Sequence, residues 1–533
     1  MLLSAKCAIV FDCAWSWLTV QKPRGVAQFG SAPALGAGCR RFESCHPDFF
    51  ISSEIFYSAR NNYLCTYPYI LIDSIHIMSD INDTVDCATC WEAPYSNHQL
   101  KACVEVPGSK SLSNRYLILA AIGTKPVVLQ GLLRSRDTEL MINALSTFGV
   151  KCESLNEEGT KLRVIPPEDG IFRVEDNAEV YCGLAGTVMR FVSALALFAN
   201  KPVRFDGDKQ AYARPMKPVL DALEQLGAHV EYHGETGFLP YTITPPKSLE
   251  LKTRNVENIV CIDSSASSQF ISALLLIGSR IPNGLYIEHI GKNLPSTPHI
   301  LMTIDDVKKS GGTVQMIEPI SWAVLESKLV LPNTVVIEPD LSNAAPFLGA
   351  ALISGGIVRV PNWPKRTTQP GGLLPAILER MGAVVNFEEN DTNTGSGVLC
   401  VKGNGRIHAI PSLDLSKAGE IAPSIAAILA FADGVSQLHG IAHLRGHETN
   451  RLEALVKELN RVGIGAKELE DGISIEPSDY VHGEVMETYA DHRMATFAAM
   501  LGLRIENVRV KNIATTRKTI PDFPGMWNSM ISQ

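Results

Sequence analysis

The residues of this chain best suited to chemistry are two glutamates of its C-terminal half, each with cations close by in sequence. Glu420 opens the apolar stretch Glu420-Ile-Ala-Pro, and His447-Glu448-Thr-Asn-Arg451 sets Glu448 and Arg451 three apart, the spacing of one helical face. Carboxylates beside such cations are what general acid–base catalysis requires. Tyr489-Ala-Asp491-His492-Arg493-Met494 leads a further apolar run, and Lys518 lies in Arg517-Lys-Thr-Ile-Pro-Asp-Phe. Taken alone, Asp491-His492-Arg493 reads more readily as a surface turn or a structural ion pair than as a site.

The N-terminal half offers anion-binding turns. Val106-Pro-Gly-Ser-Lys110-Ser-Leu-Ser-Asn-Arg115 passes from a tight turn into an apolar helix. A helix start of that kind attracts anions through its free N–H groups and dipole, and Lys110 and Arg115 add formal charge. A capping turn with solvated charges is the plainer reading. It is not a P-loop, because the spacer between glycines and the Gly-Lys pair are missing. The device returns at Leu184-Ala-Gly186-Thr187 before Phe191–Phe198 and at Arg214-Pro215, where the proline suits the first helical position. It returns again at Ser267-Ser268-Gln269 and at Ser296-Thr-Pro. One such turn means little; a series in one chain points to a polyanionic small ligand held between subdomains. No Cys/His spacing suggests zinc and no Gly-x-Ser-x-Gly suggests a serine hydrolase, so neither a metal nor a cofactor is expected. The close pair Cys87-Ala-Thr-Cys90 has metal or redox spacing but no second pair, and is read as incidental.

The elements that must position these residues repeat. A helix, a glycine and a short alternating strand recur around Gly149, Gly227, Gly311, Gly382 and Gly463. Each glycine suits the left-handed position just past a helix end. A period of about 80 residues is too long for a solenoid and implies repeated subdomains of strands plus two helices, in an α/β or α+β chain. The 533 residues are 45% hydrophobic and 20% charged, with a net charge of −8, which excludes wholesale disorder and disfavours nucleic-acid coating. No apolar run is long enough to span a bilayer. Twelve scattered cysteines fit a reducing compartment, so a soluble, cytoplasmic protein is expected. Residues 1–77 read differently. They hold five of the cysteines, show no sustained period, and fit neither a signal nor a transit peptide. Gly25-Val-Ala-Gln-Phe-Gly and Gly38-Cys-Arg-Arg-Phe-Glu-Ser-Cys45 resemble the conceptual translation of a bacterial transfer-RNA gene, and Met78 is the expected true start.

Taken together and in order, the motifs resemble one family. They are Pro107-Gly-Ser-Lys-Ser with Asn114-Arg115, Ala185-Gly-Thr with Met189-Arg190, Ser267-Ser-Gln, Glu338-Pro-Asp340 with Ser342, Glu448-Thr with Arg451, Asp491-His-Arg-Met, and Lys518-Thr with Pro521-Asp522. From about residue 93 to 530 the chain resembles the 5-enolpyruvylshikimate-3-phosphate synthases. The resemblance implies an α/β fold of two domains, each of three βαβαββ units, with the active site in the cleft between them. It assigns 109–337 to one domain and 78–108 plus 338–533 to the other. It implies transfer of the enolpyruvyl group of phosphoenolpyruvate to the 5-hydroxyl of shikimate 3-phosphate, without cofactor or metal. Nucleic acid and membrane are not expected as partners, and a monomer is expected.

By resemblance, Lys110, Gly186, Arg214, Gln269, Arg451, Arg493 and Lys518 hold phosphoenolpyruvate. Lys110, Ser111, Arg115, Ser267, Ser268, Gln269, Ser296, Glu420 and His447 hold shikimate 3-phosphate. Glu420 takes the hydroxyl proton, and Glu448, with Lys110, serves the methylene carbon. The family's commoner choices are Asn, Asp and Lys where this chain has Leu184, Glu420 and His447. Histidine brings only partial positive charge at neutral pH. Phe191 replaces a usual proline, which bears on sensitivity to glyphosate, an expected competitor of phosphoenolpyruvate. The nearest alternatives are a UDP-N-acetylglucosamine enolpyruvyl transferase, disfavoured because no cysteine falls in a matching loop, and a non-catalytic metabolite-binding relative.

Overall fold

A computed structural model describes residues 90–247, 259–389 and 395–533. The expected leader 1–77, the expected start Met78, and Cys87 lie outside the described residues. The described part builds one βαβαββ unit again and again. In the stretch Glu179–Thr244, strand Glu179–Tyr181 is followed by a helical run from Val188 to Phe198, strand Val203–Asp206, helix Lys217–Gln225, and the hairpin His229–Tyr232 with Tyr241–Thr244. The first two strands pair in parallel and the hairpin strands pair antiparallel. The sheet of Ile259–Ile262, Leu285–His289, Thr313–Glu318 and Ser321–Leu325 has the same pattern. Alternation drives these strands. Lys161–Ile165 buries Leu162 and Val164 and exposes Lys161 and Arg163. The first helix of a unit is apolar all round and sits inside, as Gln269–Ile277 does. A second helix such as Arg451–Arg461 is amphipathic, burying Leu452, Leu455 and Leu459.

Two sheets are completed from a distance. Strand Thr334–Val336 pairs in parallel with Val127–Gln130, and Lys101–Cys103 pairs in parallel with Ile357–Pro364. The chain therefore passes twice between halves. The passes run side by side: the Ser109 N–H donates to the Glu338 carbonyl at 2.8 Å and the Asp340 N–H to the Pro107 carbonyl at 2.9 Å. Within the one compact unit the described residues form, buried apolar side chains fall into two clusters. One draws on residues 112–337, the other on 93–106 and 341–530.

The five repeat glycines all take left-handed backbone, with φ between 80° and 95°. Each stands one residue past a helix C-cap, as the pattern required. Two local expectations fail. Pro215 does not open a helix; the helix starts at Lys217 with Pro218 in its first turn, because the Gly237 carbonyl accepts from the N–H groups of both Met216 and Lys217. Glu448 precedes the helix of Arg451 rather than sharing its face, since the Asn450 side chain caps that helix by accepting from the Glu453 N–H.

Alanine at two of these glycines should separate conformational cost from collision. At Gly227 a Cβ would meet only the Pro246 Cβ at 3.4 Å, leaving the left-handed penalty of about 1–2 kcal/mol. At Gly463 it would lie 2.2 Å from the Tyr480 carbonyl oxygen, which is fixed backbone. Urea denaturation should show G463A losing at least about twice the stability that G227A loses. Equal losses would mean that the loop carrying Tyr480 yields freely.

Candidate active site

One cavity collects residues from the strand-to-helix loops of both halves. Its wall includes Lys110, Ser111, Arg115, Gly186, Arg214, Ser267, Ser268, Gln269 and Ser296 from the first half, and Glu420, His447, Glu448, Arg493 and Lys518 from the second. Nearly all stand at or just before a helix start, so N–H groups and dipoles converge where the cations are. Local sequence explains several of these starts. Ser109 caps helix Lys110–Ile122 by accepting from the Leu112 N–H, and Asp340 caps Leu341–Ser354 by accepting from the Asn343 N–H. Asp491 caps His492–Gly502, preceded by Tyr489 and Ala490, both left-handed at φ 53° and 54°. Two consecutive non-glycine residues in that region cost on the order of 1–3 kcal/mol each, and they deliver His492 and Arg493 to the cleft with Asp491 buried behind them.

The cations are held by acids that the protein supplies itself. Lys518 Nζ lies 2.5 Å from Glu448 Oε1, and Lys110 Nζ lies 3.3 Å from Asp137 Oδ2. Arg493 donates to Asn343 Oδ1 at 3.0 Å and to Glu420 Oε2 at 3.4 Å. Arg214 spends one N–H on the Leu184 carbonyl at 2.9 Å. Burial pushes Glu420 and Glu448 up, but the cations prevail. Arg451 and Arg493 hold Glu420 well below the usual carboxylate range, and Lys518 and Arg451 do the same for Glu448. Both glutamates are thus ionised at neutral pH.

Three expected ligand residues sit differently from the others. Arg451 is outside the cavity wall and only 1% exposed, because Asp491 takes its Nε at 2.7 Å and Glu448 its Nη2 at 2.9 Å. It backs both glutamates rather than facing the space. Arg115 lines the cavity but commits its guanidinium to Thr303 Oγ1, the Ser111 carbonyl and the His299 carbonyl, at 2.8, 3.0 and 3.2 Å. His447 carries no positive charge. Burial, and then Arg451, lower it to about 3, and Arg451 Nη1 lies 3.3 Å from its Nδ1, which must therefore accept.

Sequence reasoning gave no role to several residues that share this wall. His299, His443 and His492 line it, all three pushed down by burial, with His299 reaching about 4. Asp137, Thr187, Asp340, Ser342 and Gln369 line it too. The signal that could have found them is their place: each falls at or near a helix start of a repeat unit. Among the described residues no group of three or more His, Cys, Asp or Glu is placed to hold a metal ion. None of the described helices is long and apolar enough to cross a membrane.

The family model for EPSP synthase (3-phosphoshikimate 1-carboxyvinyltransferase) matches residues 94–527. The chain belongs to the EPSP synthase family. It is therefore an enzyme, a transferase. A curated EPSP synthase relative from Bifidobacterium longum (strain DJO10A), named 3-phosphoshikimate 1-carboxyvinyltransferase, is 60% identical over 446 residues, spanning 83% of this chain and 98% of that protein. One of the same name from Kocuria rhizophila is 45% identical, over 83% and 96%. Among solved structures, an EPSP synthase from Acinetobacter baumannii aligns with a TM-score of 0.67 at 25% identity, covering 82% of this chain and 97% of that one. The enolpyruvyl transferase NikO from Streptomyces tendae, at 17% identity and a TM-score of 0.61 over 82% and 96%, shares the fold. The two-domain α/β architecture expected from the motifs is thus that of the EPSP synthases.

Neutral buried imidazoles make stability depend on pH. His447 and His299 titrate near 6.5 when unfolded but only at about 3 and about 4 when folded, so the unfolded chain binds more protons and stability falls as pH drops below 6.5. Asp306 opposes them. Burial raises it to about 7 from 3.8, so its contribution grows as pH falls. At about 1.4 kcal/mol per group and pH unit, His447 and His299 against Asp306, discounted for partial exposure, leave a net loss on the order of 1–2 kcal/mol between pH 6.5 and 5, to which His443 and His492, lowered in the same direction, add. The urea midpoint of the ligand-free protein should fall over that range, and less steeply in H447Q. A flat or rising midpoint would mean that the imidazoles are charged.

Proposed function

We propose that this chain transfers the enolpyruvyl group of phosphoenolpyruvate to the 5-hydroxyl of shikimate 3-phosphate and releases phosphate. The observation that carries the reading is a single cavity walled by Lys110 and Arg214 from one half and by Arg493 and Lys518 from the other, with Glu420 and Glu448 between them. A net-negative protein needs such a concentration of cations to bind two phosphorylated acids, and arginine forks fit carboxylate and phosphate.

In this reading Lys110, Gly186, Arg214, Gln269, Arg493 and Lys518 hold phosphoenolpyruvate, with Arg451 stiffening the carboxylates behind them. Ser111, Arg115, Ser267, Ser268, Ser296 and His447 hold shikimate 3-phosphate. Glu420 begins ionised and accepts the 5-hydroxyl proton as the oxygen attacks the central carbon of phosphoenolpyruvate. Protonation of the methylene carbon needs an acid, whereas Glu448 rests as an anion on Lys518. A substrate phosphate that draws Lys518 away removes the strongest cation from Glu448 and raises its proton affinity. Glu448, with Lys110, then takes up a proton from solvent before the cleft closes, gives it to the methylene carbon, and takes one back from the resulting methyl group as the C–O bond to phosphate breaks; the phosphate leaves with the proton that Glu420 received. Closure of residues 109–337 on 78–108 plus 338–533 would expel water and strengthen each charge.

Phosphate release from phosphoenolpyruvate tests the whole scheme. The protein should turn over with shikimate 3-phosphate and be inert with UDP-N-acetylglucosamine as acceptor; the reverse preference overturns it. E448Q should lower kcat at least about 100-fold while leaving the melting transition in place. Unchanged turnover would remove Glu448 from the proton path.

A further inference from the structure

Arg190 has no role in the scheme above, yet it is among the least exposed cations of the protein. It lies in the π-helical turn Val188–Val192, just behind Gly186, and is 3% exposed. Nη1 donates to Gln269 Oε1 at 2.8 Å and Nη2 to the Pro215 carbonyl at 3.3 Å, while the guanidinium stacks over Phe270 with 5.1 Å to the ring centre. Its Nε is buried with no hydrogen-bond partner. After burial itself, the charge that acts on it most strongly is Arg214, of the same sign; Glu448 attracts it more weakly. A cation left inside a protein in this state is costly unless something opposes it.

The space that could contain the opposing charge is marked by Gly186. A Cβ built there would fall 2.8 Å from Arg190 Nη1, 2.9 Å from Arg214 Nη2 and 3.1 Å from Gln269 Oε1. Three polar groups therefore converge beside a glycine that lines the cleft. A guanidinium only donates, so the Gln269 atom it meets must be the carbonyl oxygen, and the amide N–H₂ is left to turn outward.

We propose that Arg190 is a positioning residue for the anionic donor. It locks the Gln269 amide with its N–H₂ group toward the cleft, and with Arg214 it supplies positive charge that a bound anion neutralises. The proposal rests on the reading of the cleft as a phosphoenolpyruvate site.

Steady-state kinetics with both substrates test it, beside the melting temperature of each variant. R190M keeps a long apolar stem against Phe270 and removes charge and fork together. Its KM for phosphoenolpyruvate should rise about 10- to 100-fold, the loss of hydrogen bonds involving a charged group, and at least about tenfold more than its KM for shikimate 3-phosphate. Because Arg190 acts through Gln269, R190M and Q269A should be strongly non-additive in phosphoenolpyruvate KM. R190K keeps the charge with a poorer fork and should restore KM in part. An R190M that melts like the parent with its phosphoenolpyruvate KM unchanged overturns the proposal, as does strict additivity with Q269A. Should R190M fail to fold, R190K decides: a merely structural cation leaves its phosphoenolpyruvate KM at the parent value, whereas the positioning role raises it several-fold and loses that rise in a Q269A background. A parent protein that releases no phosphate overturns the transferase reading along with this one; an active parent with an indifferent Arg190 overturns this one alone.

Discussion

Like charges must be gathered in one place, and the rest of the structure answers to that constraint. The cleft brings Lys110, Arg190, Arg214, Arg493 and Lys518 around one cavity of a chain whose net charge is −8. Left alone, such a group would repel itself and would have to surrender its water. The repeat unit relieves the second problem, because the loop after a unit's first strand ends in a helix start, which offers N–H groups in place of water. Internal acids relieve the first. Asp137 holds Lys110, Glu448 holds Lys518, and Asp491 with Glu448 holds Arg451. The resting site is thus neutralised only in part by internal pairing: a polyanion displaces carboxylates from Lys110 and Lys518 and also meets the charge of Arg190 and Arg214.

The parts of this arrangement that were legible in the sequence are those set by local physics. The glycine after each helix announced itself because a left-handed residue past a helix end is a backbone requirement that needs no tertiary partner. Glu448 and Arg451 were legible as a pair because three residues of separation keep them close whether or not both lie on the helix, and they do meet at 2.9 Å with only Arg451 on it. Pro215 misled because a helix start also depends on who takes the first N–H groups, and here a carbonyl from Gly237, distant in sequence, takes two of them.

The histidines were the least legible. Sequence allows His447 to be about a quarter charged at neutral pH, since its type sets the titration near 6.5. Whether it is charged depends on burial and on Arg451 sitting beside it, and both come from the fold. The helix starts of His299 and His443 marked them as candidates, but that they share one wall shows only once two different units open onto the same cavity. Arg190 was visible as part of a motif, yet its unopposed burial shows only once Phe270, Pro215 and Gln269 have packed around it.

The same internal pairing constrains how the proton inventory can change during a turnover. With both glutamates ionised and the surrounding imidazoles neutral, the resting cleft holds its transferable protons on lysines and arginines. Of these, Lys518 stands closest to one of the two proposed catalytic carboxylates, Glu448. In the proposed reaction, an acid strong enough to protonate carbon is not stored in such a site; it is created after the anions arrive, as they pull cations off the glutamates. Substrate charge is then part of the acid–base apparatus and not only a handle for binding. That gives a physical reason for Glu448 to be tied both to Lys518, which can be drawn away, and to Arg451, whose further bonds to buried Asp491 keep it in place. One partner can release the carboxylate while the other keeps it aimed.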